Sequence, residues 1–461
     1  MRDLTEGSVE SHLFRMALPI AAGMLFQTLY YIVDLYFVAH IGKVALAGVA
    51  AAGNAVFLIL ALTQMIAAGT LALLSQAVGR KDQGGSNLVF NQAFALASAL
   101  SLATLVFGYP FARAYMGAVS ADAATAGAGM IYLNWFLPGL ALQFIVTAMS
   151  SALRATGIVQ VPMFVLAASL ALNALLAPVL IAGWFTGHPF GVAGAGFASS
   201  ISLVAATAML IAYYLRLETY VRFAIPQWRP NFAIWRRLFM IGLPAGGEFM
   251  FLFFYTAVIF ALIRHFGDAA QAGFGVGTRL MQAIFLPGMA VAFAAAPIAG
   301  QNYGAGRPSR VRATLRAAML LCSAVMLLLT IVCQLRPEWL VRGFTNDAEV
   351  VTQATLFLRI ISWNFVATGI IYSCSAMFQG LGNTWPSLIS TGSRMLTFVL
   401  PALWIASRPN FRIEDLWFLS VATVALQAVT SLYLVAREFR RKLPVTAEAV
   451  GRESMPRIAE V

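Results

Sequence analysis

This chain is short of charge. Acidic residues number 18 in 461, charged residues make up only 10% of the chain, and there are four histidines and three cysteines. A water-soluble globular domain carries about 25% charged residues, so a large soluble core is excluded. Cys322, Cys333 and Cys374 lie in apolar runs without a C-x-x-C spacing, which excludes a disulfide framework and a thiolate metal site and leaves three small buried hydrophobes. No H-E-x-x-H, paired-histidine or serine–histidine pattern falls inside an apolar run, so intramembrane enzyme chemistry has no residues to perform it. A short leader ending in a small-residue cleavage site is absent from the first apolar run, so that run reads as a span and not as a signal peptide. The net charge of +12 does not point to nucleic acid, because the basic residues sit mainly in short gaps between apolar runs.

Apolar sequence is what the chain has in abundance: 60% of it. Twelve runs stand out, near 13–38, 46–78, 87–112, 124–153, 160–182, 191–215, 233–264, 270–303, 313–334, 350–378, 385–406 and 414–436. About 20 apolar residues at 1.5 Å each cross a ~30 Å hydrocarbon layer, so each run predicts a membrane-spanning helix. Twenty basic residues fall on one side of these spans and seven on the other, while Arg279, Arg359 and Arg394 fall within them. This asymmetry predicts cytoplasmic termini in a plasma or inner membrane.

The halves repeat without a gap at a shift of 225 residues. Leu18-Pro19 falls on Leu243-Pro244, His40-Ile-Gly42 on His265-Phe-Gly267, and Ala47-Gly48 on Ala272-Gly273. Gln76 falls on Gln301, Gly79 on Gly304, Asp122 on Asp347 and Gly157 on Gly382. Six spans per half is an even number, so both halves enter the membrane in the same direction. The expected fold is an all-α integral membrane protein: twelve helices in two six-helix lobes, related by a pseudo-two-fold axis along the membrane normal, with a cavity between them. The expected units are an N-terminal lobe to residue 215, a cytoplasmic linker over 216–237, a C-terminal lobe over 238–440 and a tail over 441–461.

Few polar residues lie inside the spans. Asp34 sits in the first, and Gln27, Tyr30 and Asp34 share a helical face. A carboxylate at such depth is costly unless paired, protonated or hydrated, which makes it a candidate site; pairing with a neighbouring helix is the plain alternative. Glu248 follows Pro244 and a run of small residues, with Tyr255 two turns on among phenylalanines, a setting suited to a lipophilic cation. Arg279, with Gln282 one turn on, either neutralises an acid or binds an anionic solute, and the cost of unpaired charge favours pairing. The same choice holds for Arg359 and Arg394. Asn173 serves interhelical hydrogen bonding or substrate contact.

The stretch VDLYFVAHIG-x-x-ALAGVA, the paired motifs SQAVGRKD and GQNYGAGRP, LRATG at 153–157 and QGLGNTWP at 379–386 together resemble the multidrug and toxic compound extrusion transporters over about residues 10–440. The resemblance implies two lobes in an outward-opening V. It implies export of amphipathic, often cationic small molecules in exchange for H⁺ or Na⁺, with no further cofactor. It implies that Asp34 is the ion-coupling carboxylate of the N-terminal lobe and that Gln27, Tyr30 and Asn173 are its polar companions. The chain departs from the family pattern at Ala177, where many members carry an acid before the proline, and in Ser362–Gln379, which has no acid. The expected partners are the substrate and the bilayer, without nucleic acid, for a monomer. A flippase for lipid-linked precursors, from the same superfamily, is the alternative.

Overall fold

The computed structural model describes residues 2–443 apart from 121 and 219. Among them, twelve helical segments are long and apolar enough to span a bilayer. The first half holds α1 (Val9–Ala39), α2 (Lys43–Gly79), α3 (Gln83–Val119), α4 (Ala123–Ala155), α5 (Gln160–Ala182) and α6 (Val192–Arg216). The second half holds α7 (Phe232–Ile263), α8 (Asp268–Gly304), α9 (Pro308–Leu335), the short α10 (Pro337–Arg342), α11 (Ala348–Ile361), α12 (Phe365–Gly380), α13 (Trp385–Ala406) and α14 (Ile413–Lys442).

The repeat is visible in the backbone. The helices α2 and α8 have 37 residues each and begin and end 225 residues apart. Gly42 and Gly267, Lys81 and Gly306, and Gly157 and Gly382 all have positive φ at matching turns. Asp122 and Asp347 do the same work in the two lobes. The carboxylate of Asp122 accepts the Thr125 N–H at 2.7 Å to open α4, and that of Asp347 accepts from Glu349 and Val350 to open α11. The Thr125 backbone bond, then the Thr125 hydroxyl, hold the Asp122 carboxyl below the usual carboxylate range.

The expected span over 350–378 is one helical segment, Ala348–Gly380, that tightens in its middle: α11 passes through a 3₁₀ turn at Ser362–Asn364 into α12, with the backbone still in the right-handed helical region. Backbone groups freed inside a membrane need partners from neighbouring helices. Here Gln334 of α9 donates to the Arg359 carbonyl at 2.7 Å and Thr330 of α9 to the Ser362 carbonyl at 3.1 Å. Short polar side chains on the next helix thus satisfy the carbonyls that the tightened turn leaves without an α-helical partner.

The connection between lobes is strapped to α3. Asn87 accepts from the Arg222 N–H, Asn91 from Ala224 N–H and the Trp228 indole, and Gln92 from Asn231 N–H, each at 2.8–2.9 Å. Residues 232–237, expected in this linker, are the first turns of α7. Of the expected tail over 441–461, residues 441 and 442 end α14, and 444–461 lie outside the described residues.

The lobes meet at the end that carries the start of α1, the end of α14 and most of the described basic residues. Glycines permit the contact: a Cβ at Gly69 would meet the Leu238 backbone, one at Gly242 the Met65 carbonyl, and one at Gly246 the Ala61 carbonyl. Nearest that end the contact is reciprocal. The Gln76 amide of α2 donates to the Gly380 carbonyl of α12 at 2.9 Å, and the Gln301 amide of α8 donates to the Ala155 carbonyl of α4 at 2.8 Å. Donors and acceptors are both 225 residues apart, so the two bonds are related by the lobe symmetry. A Cβ at Gly79 would overlap the Gln301 carbonyl, and one at Gly304 the Gln76 carbonyl. The N-terminal segment lies across this junction. Arg2 N–H donates to the Thr156 carbonyl, and Leu4 N–H to the Gln301 side chain.

Towards the other end the lobes part. On α8 the stripe that faces the first lobe is buried at Gln301, Ala294 and Ala290 and exposed at Ala283, Arg279 and Ala272. The matching stripe of α2 is buried at Gly69 and Ala61, half-buried at Met65 between them, and exposed at Ala50, Ala47 and Lys43. Between these regimes Phe57 lies 6.1 Å from Phe249 and 6.5 Å from Phe253, ring centre to ring centre. The result is a cleft with an aromatic floor, open at the end away from the basic junction.

Candidate functional site

Asp34 lies five residues before the end of α1, about 8 Å from it along the axis, in the half of the lobe beside the cleft. It is 8% exposed. Its Oδ2 accepts from the Ser199 hydroxyl of α6 at 2.7 Å, and its Oδ1 lies 3.4 Å from the Asn173 amide of α5. The same amide nitrogen lies 3.2 Å from the Tyr30 hydroxyl and 3.3 Å from the Ser199 Oγ, and the Tyr30 hydroxyl donates to the Ser199 carbonyl. An NH₂ group has two hydrogens, so three acceptors share them. The Asn173 Oδ1 is buried and accepts nothing. Three helices therefore converge on one carboxylate, with the Ser199 hydroxyl and the Asn173 amide nitrogen donating to it and, among the described residues, no cationic side chain in ion-pair contact. Such a set holds a proton or a small hard cation, which takes oxygen ligands.

Close approach explains why this happens here. A Cβ at Gly23 would rest on Leu166 and the Met163 backbone, so α5 runs tight against α1 and delivers Asn173 to Tyr30 and Asp34. Gln27, two turns before Asp34, is half-buried between the α5 side of α1 and the side facing the second lobe.

The second lobe keeps part of this arrangement. At the repeat shift, Tyr30 corresponds to Tyr255, Asp34 to Ile259 and Asn173 to Phe398. The Tyr255 hydroxyl again reaches a serine of the last helix of its lobe, Ser420, at 3.0 Å, and its ring lies 4.8 Å from that of Phe398. Acid and amide have been replaced by apolar groups. Glu248 corresponds to Gly23 and stands elsewhere, beside the Ser387 hydroxyl, which shares a 2.8 Å hydrogen bond with Ser375.

The arginines are not neutralised by acids. The ion pairs among the described residues are Arg342–Glu338, Arg412–Glu414 and Lys442–Glu438. The expected pairing of the intramembrane arginines with Asp34 or Glu248 is therefore corrected. Arg394 instead lies over the Tyr255 ring at 4.5 Å, with its Nε buried and bonded to nothing. Tyr255 thus already carries a cation on its face. Arg359 is exposed in a groove of about 670 Å³ between α10 and α11, shared with Glu338 and Arg342, and lines that groove rather than the space between lobes. Arg279 and Gln282 are exposed on α8.

Sequence reasoning passed over Ser199, Ser387 and Arg394's stacking. Serines in apolar helices are common and usually return a bond to their own backbone, as Ser202 does to Ala198. The one available signal was Ser199's position in a sixth span rich in small residues, which is weak.

The family model described as MatE matches residues 19–179 and 244–405, once in each lobe. The chain is 24% identical over 426 residues to "Multidrug export protein MepA" of Staphylococcus aureus, covering 92% of this chain and 93% of that protein. It is 27% identical over 387 residues to "Probable multidrug resistance protein YpnP" of Bacillus subtilis, covering 82% and 86%. Its fold matches a structure described as the outward-facing conformation of a multidrug resistance MATE family transporter of the MOP superfamily, with a TM-score of 0.89, 22% identity, and coverage of 96% of this chain and 98% of that one. A Pyrococcus furiosus MOP superfamily transporter, described as having a binding pocket of reverse polarity, matches equally well. With a match in each lobe and the motifs in register with the helices, this chain belongs to the MatE family of multidrug and toxic compound extrusion transporters.

Proposed function

We propose that this protein is a multidrug efflux transporter working by secondary antiport, exporting amphipathic compounds in exchange for H⁺ or Na⁺ taken up at Asp34. The observation that carries this reading is the Asp34 carboxylate, held by Ser199 and Asn173 in the lobe beside an open cleft. The names of the relatives support efflux. The coupling ion enters the Asp34 cluster, where the free Asn173 Oδ1 adds an oxygen to the carboxylate and the Ser199 and Tyr30 hydroxyls. Cargo occupies the cleft, with Gln27 on one wall and Gln282 on the other. Ion and cargo each favour a different arrangement of the lobes through their difference in affinity, which is the whole of what a ligand does to such an equilibrium. The reciprocal Gln76 and Gln301 bonds close the basic end, and they must break for the cleft to face the other way.

Twenty basic residues against seven support cytoplasmic termini in the plasma or inner membrane, so the open cleft faces outwards. The protein works as a monomer in the bilayer, each chain having its own cleft, without nucleic acid or a bound cofactor.

The test is purified protein in liposomes with a cationic dye, ethidium, and an anionic one, anilinonaphthalene sulfonate, under an imposed pH gradient and separately under a Na⁺ gradient. Gradient-driven movement of either dye supports antiport and names the ion; the absence of movement of both dyes under both gradients overturns the reading. Ser199→Ala is expected to slow driven efflux about tenfold, the loss of one hydrogen bond to a charged acceptor worth ~1.5 kcal/mol. Ser199→Thr, which keeps the hydroxyl, should retain most of the rate. Equal loss in both variants would point to packing alone. A second reading, flipping of a lipid-linked anionic precursor, is favoured by the absence, among the described residues, of acid partners in ion-pair contact with Arg279 and Arg394. Movement of a lipid-linked pyrophosphate without dye movement would establish it.

A further inference from the structure

We propose that Arg279 sets cargo specificity, and that the cleft takes amphipathic molecules bearing an acidic group: a carboxylate, sulfonate or phosphate. This rests on the reading of the chain as an exporter with its cleft between the lobes.

The argument begins with the direction of Arg279. It precedes Phe293 by fourteen residues and Gln301 by twenty-two, which on a helix places it roughly 40° to either side of them. Both touch the first lobe: Arg154 lies over the Phe293 ring at 5.8 Å, and Gln301 bonds Ala155 and Leu4. Arg279 is therefore on the stripe of α8 that faces the first lobe, in the half where the lobes have parted, and it is exposed. From that position we infer that its guanidinium reaches into the cleft.

No described acid answers it. Asp34 is buried and engaged by Ser199 and Asn173, Glu248 stands by Ser387 on the α13 side of α7, and neither is paired with Arg279. The other cation of the lobe interior, Arg394, is committed to Tyr255. A fixed charge in a narrow cleft with low-dielectric walls concentrates ions of the opposite sign and repels its own. A guanidinium adds geometry, since its parallel N–H groups match the two oxygens of a carboxylate, sulfonate or phosphate. Gln282, exposed one turn on, places an amide donor beside it. The aromatic floor of Phe57, Phe249 and Phe253 receives the apolar body of the same molecule. A cation would gain little here, because the Tyr255 face is taken and the cleft wall is positive.

The experiment compares probes of opposite charge in the same liposomes: anilinonaphthalene sulfonate, ethidium, and a short-chain lipid pyrophosphate. Wild-type protein is expected to move an anionic probe. Arg279→Gln should lower the ratio of anionic to cationic transport about tenfold, and Arg279→Lys should recover most of it. Using a ratio within one preparation removes any loss of folded protein from the comparison. Movement of the sulfonate assigns a soluble anion, and movement of the pyrophosphate alone assigns a lipid headgroup; either supports the anion site. An unchanged ratio in Arg279→Gln, or a wild type that moves ethidium and neither anion, overturns it. The exporter reading fails separately, if Asp34→Asn leaves gradient-driven transport of every probe intact.

Discussion

Asp34→Asn is expected to reduce gradient-driven efflux to the rate of liposomes without protein, while the protein remains folded. The substitution keeps the shape of the side chain and removes the charge and the ability to bind a proton. The Ser199 hydroxyl, at 2.7 Å, and the Asn173 amide would then face a neutral group. Burying an amide costs less than burying a carboxylate, so thermal unfolding in detergent should move little, or upwards. Downhill movement of cargo need not stop, because the cleft itself is untouched. The measurement is dye efflux with and without the gradient, set beside a melting curve. Driven efflux at the wild-type rate would remove Asp34 from the coupling step.

The second large effect concerns the closed end. Gly79→Leu and Gly304→Leu should each wedge the lobes apart there and shift the population towards the arrangement open at that end. At both positions a Cβ would run into a carbonyl of the opposite lobe, from Gln301 and from Gln76. Backbone cannot give way as a flexible side chain does, so overpacking of about 1–3 kcal/mol falls on the closed state alone. That is a shift of roughly 5–150-fold in the equilibrium between arrangements. Spin labels at Arg80→Cys and Arg316→Cys, both exposed positions in opposite lobes, would report a longer separation once the three buried cysteines are replaced by alanine. Because the lobes are related by a repeat, the two variants should behave alike. Gly53→Leu, on the outer half of α2 where a Cβ meets nothing, is the control and should leave the separation unchanged. Unchanged distances in both variants would show that this junction does not hold the closed state.

Much of this protein was legible as text. Spans were readable because a bilayer demands long apolar runs, and the duplication because rare residues such as His40 and His265 recur in one register. Asp34 was legible for the same reason: in an apolar run a carboxylate has no cheap explanation. The 3₁₀ tightening at Ser362–Asn364 was not, since it depends on donors in α9, and an apolar run reads the same whether its helix is regular or locally tightened. Gln76 and Gln301 match in the repeat, but their bonds were not legible, because those to Gly380 and Ala155 join residues 304 and 146 apart in sequence.

Composition, hydropathy and repetition are properties of residues counted along the chain, and they determined the membrane, the number of spans, the duplication and the acid at position 34. Which oxygens surround that acid, which charges lack a counter-charge, and which face of α8 looks across to the other lobe depend on how helices far apart in sequence are rotated against one another. A rotation of some 40° separates pointing into the cleft from packing inside the lobe. Only the folded protein sets that angle, because it is decided by where glycines let one helix touch the next.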